Sequence, residues 1–229
     1  IARPSSTATY FNFLASHDGV GLNPVRDILT AGEVNAIVER VRQHGGLVSN
    51  KTNPDGTNSP YELNINYFDA LNNPGADEPQ HIQVGRFLAS QAIMLAIIGV
   101  PGIYFHSLFG SRGWLEGVQF TGHNRTINRR KLTRPVLEIE LNDPGSIRSQ
   151  VFNRYCHLLR ARAAAPAFDP YGSMQVLEAG ERVFAVLRTA SGADSVLCLQ
   201  NVTAEVQVVE LNVLHPGSLK HGVDLVSGQ

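Results

Sequence analysis

The chain has 229 residues and a formal net charge of −1, and 43% of its residues are hydrophobic. This apolar fraction is sufficient for a folded core, and the near-neutral charge gives no basic field for nucleic acid and no polybasic patch for a membrane. The chain is therefore predicted to be globular, without nucleic-acid or membrane partners. Its two cysteines lack metal-binding spacing, so we expect a reducing, cytoplasmic setting. Because the chain begins with Ile1 rather than Met, we expect a fragment of a longer protein.

The first element is an apolar segment at residues 10–15, which predicts a short strand buried on both faces, as in a parallel sheet. His17 and Asp18 follow it, and then Gly19 and Gly21. A His and an Asp at the carboxyl end of such a strand lie where barrel enzymes place catalytic groups. Alternatively, Asp18 caps a loop beside a His that is satisfied by backbone groups, and the pair alone is compatible with both roles.

The next segments alternate between helix and strand signals. Thr30 and Glu33 form a capping-box pattern that predicts a helix start, and the polar residues 48–60 predict a long loop, either a functional lid or a mobile surface loop. The most apolar helix is predicted over residues 81–99, followed by a second buried strand at residues 100–106. This order of strand, helix and strand predicts an α/β fold of the barrel type.

Four cations fall within residues 125–131, which form either a solvated loop or the source of an Arg that binds an anion or sugar hydroxyls. A further helix is predicted between the turn at residues 142–145 and Pro166. Beyond residue 171 the pattern changes to period two, and strands are predicted at residues 174–177, 182–188, 195–199, 205–211 and 223–226. These strands predict a small antiparallel β-domain.

Several of these segments resemble the α-amylase superfamily. FLASHD at residues 13–18 and GVPGIY at residues 99–104, followed by a β-domain, resemble the last part of that superfamily's barrel. Four further segments are similar to its sucrose phosphorylase branch, which includes relatives acting on sucrose 6-phosphate and glucosylglycerate: SHDGVG at 16–21, SPYELN at 59–64, HSLFGSR at 106–112 and NRTINR at 124–129. The resemblance implies that residues 1–170 are the C-terminal portion of a (β/α)8 TIM barrel, with its last two strands and their helices, and that residues 171–229 are an antiparallel β-domain.

The same resemblance implies a retaining enzyme that phosphorolyses sucrose or a related α-glucoside to α-glucose 1-phosphate, without a cofactor. Retaining chemistry needs two carboxyl groups that flank the glycosidic bond. The branch carries them in a Gly-x-Arg-x-Asp motif and at a later Glu, and neither motif occurs in this chain. We therefore expect the isolated chain to be inactive and to need the N-terminal barrel segment, an α-glucoside and inorganic phosphate as partners.

The resemblance also assigns two catalytic residues. It implies that Asp18 is the third acid of the family's trio, which holds the 2- and 3-hydroxyls of the glucosyl ring and stabilises the transition state. It implies that His17 donates to the same hydroxyls and orients the ring, or else braces the Asp18 carboxylate. Asp18 is thus expected to be a stabiliser rather than the nucleophile.

Five residues are expected to bind substrate. By resemblance Arg125 lies near the reacting sugar, and Tyr61 lies on a loop that exchanges between acceptor and phosphate. Lys51 and Arg112 are further candidates for an anion, because phosphate needs charge-assisted donors. Glu62 stands where sucrose phosphorylases have Gln, and a carboxylate there alters the polarity of the acceptor side.

Two other functions remain open at this point. One is hydrolysis or transglucosylation of sucrose or an oligosaccharide within the same superfamily, against which the cations near the acceptor argue. The other is a non-catalytic carbohydrate-binding module, which the absent carboxylates allow. Against the module stand the strand edges and apolar helix faces that a partial barrel would expose.

Overall fold

The computed structural model describes residues 4–214 and 222–228, and these residues divide into two compact units. The first unit contains the described residues of Ile1–Asn12, Leu88–Gly102 and Asn153–Gln229, and the second contains Phe13–Phe87 and Ile103–Phe152. The first unit therefore unites segments that are distant in the sequence. The predicted domain boundary at residue 170 stays a prediction.

The described residues form short strands and helices of mixed length. The strands are β1 (Phe11–Asn12), β2 (Val20–Gly21), β3 (Leu47–Thr52), β4 (Asn58–Asn64), β5 (Val100–Pro101), β6 (Ser173–Val176), β7 (Val183–Thr189) and β8 (Val196–Asn201). The α-helices are α1 (Ala31–Gln43), α2 (Tyr67–Leu71), α3 (Gln80–Ala96), α4 (Phe105–Leu108), α5 (Leu115–Thr121), α6 (Arg134–Asn142), α7 (Ile147–Ala164) and α8 (Leu211–Leu214). Within the described ranges, no helix has both the length and the apolar character that crossing a bilayer requires.

The first unit contains the parallel pair of β1 and β5, in which Phe11 aligns with Val100. The predictions of buried strands over residues 10–15 and 100–106 are wrong in extent and burial. Only two residues of each segment pair, and Phe11 is 67% exposed. The reason is that β1 and β5 pair only with each other among the described residues.

The antiparallel sheet of the first unit has the strand order β6-β7-β8, which confirms three of the five predicted terminal strands. The predicted strands at residues 205–211 and 223–226 are wrong, because no strand forms there and Leu211 begins α8. Thr203 N–H donates to the Asn201 side chain, whose amide donates to Glu205 O at 2.7 Å. These local hydrogen bonds replace a strand ladder.

A buried arginine connects this sheet to the end of α3. Arg188 on β7 is 0% exposed, and among the described residues its guanidinium donates to four backbone carbonyls, those of Ala96, Ile97, Asp169 and Ser173, at 2.9–3.2 Å. Arg162 on α7 donates to Leu95 O and Gly99 O. Since the last carbonyls of a helix lack partners within the helix, the two cations satisfy and electrostatically complement the C-terminus of α3.

Both predicted long helices are confirmed, as α3 and α7. On α7, Val151 and Tyr155 are completely buried, and the helix ends just before Pro166. α3 ends at Ala96, a little earlier than predicted, and Gly99 follows with a positive φ of 123°. A side chain there would meet Tyr10 O at 2.6 Å, so the tight turn between α3 and β5 requires glycine.

The second unit is built on a three-stranded antiparallel sheet of order β2-β4-β3, with α1 packed against it. Thr30 and Glu33 form the predicted capping box at the start of α1. The prediction of a loop over residues 48–60 is wrong, because most of these residues form the hairpin β3–β4, with a register shift between Ser49 and Asn50. The Asn53–Thr57 side-chain and backbone hydrogen bonds close a short turn, which leaves the flanking polar residues free to pair as strands.

Candidate functional site

The turn that carries His17 and Asp18 is fixed by backbone geometry. Ser16 and Gly19 exchange two backbone hydrogen bonds of 2.9 and 3.1 Å, and Gly19 has a φ of +118°. A Cβ at Gly19 would lie 2.1 Å from Leu63 O, so only glycine allows β4 to approach this closely. The turn therefore holds Asp18 beside β4.

Two arginines and a histidine lie against one side of the Asp18 carboxylate. Its Oδ1 lies 2.6 Å from Arg129 Nη2, 3.3 Å from Arg125 Nε and 3.4 Å from His17 Nε2. Arg129 Nε also donates to His17 O, which ties this arginine to both residues of the pair. These three contacts with the carboxylate all use Oδ1, and with its side chain 27% exposed, Asp18 retains Oδ2 as a hydrogen-bond acceptor.

A second carboxylate is paired with Arg125. Glu62, which is only 5% exposed, accepts from Arg125 Nε at 2.9 Å and from Arg125 Nη2 at 3.1 Å. Arg125 Nη2 also donates to Tyr61 Oη at 3.0 Å. The positive charge of Arg125 is stabilised chiefly by the hydrogen bonds to Glu62, which raise its pKa further above the ordinary value. Five sequence-predicted site residues thus come together: His17, Asp18, Tyr61, Glu62 and Arg125.

Asn64 braces this cluster from the interior. It is completely buried, and its amide donates to Asp18 O at 2.9 Å and to Glu62 Oε2 at 3.0 Å. Its carbonyl accepts from Ser49 Oγ on the neighbouring strand β3 at 2.7 Å. One side chain therefore fixes both the turn and the second carboxylate.

Sequence reasoning missed Arg129 as an individual site residue. Arg125 lies within a 3₁₀ helix at Asn124–Asn128 and Arg129 directly follows that helix, and both reach the Asp18 carboxylate. Tyr104 Oη anchors the end of this helix by donating to Asn128 O at 2.5 Å, and burial raises the pKa of Tyr104. The repeat of Asn-Arg four residues apart was the available signal, since it places two equivalent cations in one short segment.

Arg112 and Lys51 are not brought into the cluster. Arg112 instead donates to Asp69 Oδ1 at 2.8 Å and to Gln83 Oε1 at 2.6 Å, and it lies over the Phe68 ring. Lys51 pairs with Ser59 across the hairpin. Ser59 precedes Glu62 by three residues on β4, so Ser59 and Glu62 lie roughly 10 Å apart at the usual rise of a strand. Anion binding by these two residues stays a prediction.

The two cluster arginines border a cleft in the second unit. It has a volume of about 450 Å³, and its walls include Ser49, His123, Asn124, Arg125, Thr126 and Arg129. Arg125 and Arg129 each have an Nη1 group without a described protein partner. An anion in this cleft could accept from both groups, because guanidinium donors match carboxylate and phosphate oxygens.

His106 on α4 is a buried, neutral histidine. Arg148 donates to Ser111 Oγ at 2.7 Å, so the Ser111 proton is free to be donated to His106 Nδ1, 2.9 Å away. Burial first, and then Arg148, lower the pKa of His106 from its ordinary value of 6.5. A backbone hydrogen bond with Arg130 acts in the opposite direction and raises the pKa of His106.

This arrangement predicts a loss of stability in mild acid. The unfolded chain takes up the His106 proton at a higher pH than the folded chain does. The contribution of neutral His106 is therefore fully present above about pH 6.5 and is lost as the pH falls through the lower folded-state pKa. Urea unfolding at pH 7.5 and pH 5.5 should show a smaller decrease for His106→Gln than for the wild type. The exposed His81→Gln variant should keep the wild-type decrease, and equal decreases in all three proteins would contradict the prediction.

The comparisons with known proteins agree on one group of enzymes. The chain is 50% identical over 212 residues to glucosylglycerate phosphorylase of Spirochaeta thermophila, a match covering 92% of this chain and 35% of that protein. It is 42% identical over 226 residues to glucosylglycerate phosphorylase of Allomeiothermus silvanus, covering 99% of this chain and 39% of that protein. The chain thus spans little more than a third of the length of these relatives. No protein-family model matches it.

A solved structure shares the fold. The crystal structure of sucrose 6F-phosphate phosphorylase from Thermoanaerobacter thermosaccharolyticum matches with a TM-score of 0.66 and 22% identity, covering 82% of this chain and 35% of that one. This likeness confirms the predicted fold class, the C-terminal part of a (β/α)8 barrel followed by a small antiparallel β-domain. The short parallel pair β1–β5 accordingly belongs to barrel strands.

Proposed function

We propose that this chain completes an enzyme which phosphorolyses an α-glucoside. The chain belongs to the sucrose phosphorylase branch of the α-amylase superfamily, and it matches the C-terminal part of its relatives. The observation that supports this proposal is the cluster of two carboxylates and two arginines beside the cleft. Such a cluster combines an acceptor for sugar hydroxyls with donors for an anion.

The proposed reaction proceeds in two displacements. A carboxylate outside this chain attacks the anomeric carbon, and the acceptor alcohol leaves with a proton from an acid group. A phosphate oxygen then attacks the same carbon, which forms α-glucose 1-phosphate and restores the carboxylate. In this scheme Asp18 accepts hydrogen bonds from the ring hydroxyls through Oδ2, and these bonds strengthen as the ring flattens toward the oxocarbenium ion.

We propose glucosylglycerate as the preferred substrate. The relatives with 50% and 42% identity are both named glucosylglycerate phosphorylases. Glycerate carries a carboxylate, and the Nη1 groups of Arg125 and Arg129 at the cleft are suited to bind one. A cytoplasmic setting is part of the proposal, since Cys156 and Cys198 are both free thiols.

The test is the release of α-glucose 1-phosphate in phosphate buffer from glucosylglycerate, sucrose and sucrose 6-phosphate. The 229-residue chain alone is expected to be inactive. The full-length protein that contains it is expected to be active, with glucosylglycerate as its best donor. Release of free glucose instead would support a hydrolase of the same superfamily. Activity of the isolated chain would show that the nucleophile lies within it.

A further inference from the structure

Glu62 differs from the other residues of the cluster because protein groups occupy its whole carboxylate. Its Oε2 accepts from Arg125 Nε and from Asn64 Nδ2, and its Oε1 accepts from Arg125 Nη2. With its side chain only 6% exposed, the carboxylate has little surface left for a ligand. Glu62 therefore acts on a substrate through its charge and through its two partners, Arg125 and Asn64, rather than by direct contact.

The pair with Glu62 decides which donors Arg125 can offer. Nε and Nη2, which form one bidentate edge of the guanidinium, are taken by Glu62, and Nη2 also donates to Tyr61 Oη. Nη1 is left for the cleft. Because the Tyr61 oxygen accepts from Arg125, its own proton is free for donation to another acceptor.

Glu62 also sets the charge of the cluster. Asp18 and Glu62 together balance Arg125 and Arg129, so that the four groups carry no net charge. A bound carboxylate monoanion then adds one unpaired negative charge, whereas the dianion of a phosphate ester adds two. A neutral side chain at position 62 would leave the cluster with one positive charge, which favours the dianion more strongly.

We propose that Glu62 is a positioning residue that sets acceptor specificity, holding Arg125 in one orientation and favouring an acceptor with a single carboxylate over one with a phosphate ester. The inference rests on the proposed function and deepens it. It concerns the leaving group of the glucoside, and it identifies a small carboxylated alcohol as the acceptor class.

The test is a double-mutant cycle in the full-length protein, using Glu62→Gln, Arg125→Lys and both together. The measured quantity is the ratio of kcat/KM for glucosylglycerate to kcat/KM for sucrose 6-phosphate, with uncharged sucrose as the reference donor. Glu62→Gln should lower this ratio by about tenfold, because it keeps the side-chain size and removes the charge. The effect of Glu62→Gln on this ratio should be smaller in the Arg125→Lys background than in the wild type, because part of it passes through the orientation of Arg125.

A control separates this role from a purely structural one. Glu39→Gln removes the exposed ion pair with Arg42 on α1 and should leave the ratio unchanged. A parallel decrease of kcat/KM for all three donors in Glu62→Gln would overturn the proposal, as would additive effects in the double variant. Should Glu62→Gln fail to fold, Tyr61→Phe provides the second variant. It removes the hydroxyl, and with it both the donated proton and the oxygen that accepts from Arg125 Nη2, and it should weaken glycerate binding several-fold.

A binding measurement separates this proposal from the proposed function. Titration calorimetry of glycerate and fructose 6-phosphate needs no turnover, and Glu62→Gln should shift the ratio of their Kd values about tenfold toward fructose 6-phosphate. That shift in a protein that releases free glucose would support the role of Glu62 and reject phosphorolysis. Phosphorolysis with an unchanged Kd ratio, or no binding of either anion to the wild type, would reject the role of Glu62.

Discussion

Replacing Asp18 with Asn is expected to lower kcat/KM for phosphorolysis by the full-length protein at least tenfold, or about 1.4 kcal/mol of transition-state stabilisation. The substitution keeps the size of the side chain and removes its charge. Oδ2 is the acceptor proposed for the ring hydroxyls, and the neutral amide accepts more weakly as positive charge develops on the ring. Initial rates of α-glucose 1-phosphate release over a range of donor concentrations measure the effect.

The matched control for this experiment is Asp194→Asn, which changes an exposed carboxylate between β7 and β8. Its kcat/KM should stay at the wild-type value. A loss smaller than tenfold in Asp18→Asn, with the protein folded, would show that the carboxylate does not stabilise the transition state. A rise in KM with kcat unchanged would instead indicate that Asp18 binds the ground state and the transition state equally well.

The largest expected effect on stability comes from Arg188→Ala. The truncation removes the donors of four backbone carbonyls and leaves a cavity where a fully buried side chain had packed. Each of these losses destabilises a folded protein, and together they are expected to lower the free energy of unfolding by about 3 to 5 kcal/mol. Urea unfolding followed by far-UV circular dichroism measures the change.

Arg182→Ala is the matched control for this substitution. Arg182 immediately precedes β7 and pairs with Glu205 at the surface, with side chains that are 62% and 72% exposed. Its removal should lower the free energy of unfolding by less than about 1 kcal/mol. Similar losses in both variants would mean that the carbonyl contacts of Arg188 contribute little beyond those of a surface ion pair.

The elements that were predicted correctly are those with a local physical cause. The capping box of Thr30 and Glu33 starts α1, and the continuous apolar pattern of α3 marks a buried helix. The strand predicted at residues 205–211 does not form, because a strand depends on a partner edge and not on the local sequence alone. Its period-two pattern reports which side chains are apolar, yet Val206 and Val208 are 92% and 85% exposed because no neighbouring edge pairs with them. Whether an edge is available depends on the whole fold.

In the candidate site, too, some residues could be predicted from the local sequence and others could not. The pair of His17 and Asp18 stands out in the sequence because it lies between an apolar segment and glycines. The partner of Asp18 does not stand out, since Arg129 is 111 residues away and is one of several neighbouring cations. Arg112 lies in a matching motif as well, but the buried carboxylate of Asp69 binds it. Such pairings are decided by tertiary structure, which spacing along the chain does not encode.

The shared hydrogen bonds of Asn64 have a consequence for motion. A single carboxamide joins the turn of Asp18 to the carboxylate of Glu62 and also to β3 through Ser49. A displacement of the β3–β4 hairpin that left the turn behind would break a buried hydrogen bond, at a cost of about 1 to 3 kcal/mol. The hairpin and the turn are therefore mechanically coupled. The side of the site proposed to hold the glucosyl ring and the side proposed to receive the acceptor should shift together as one rigid piece.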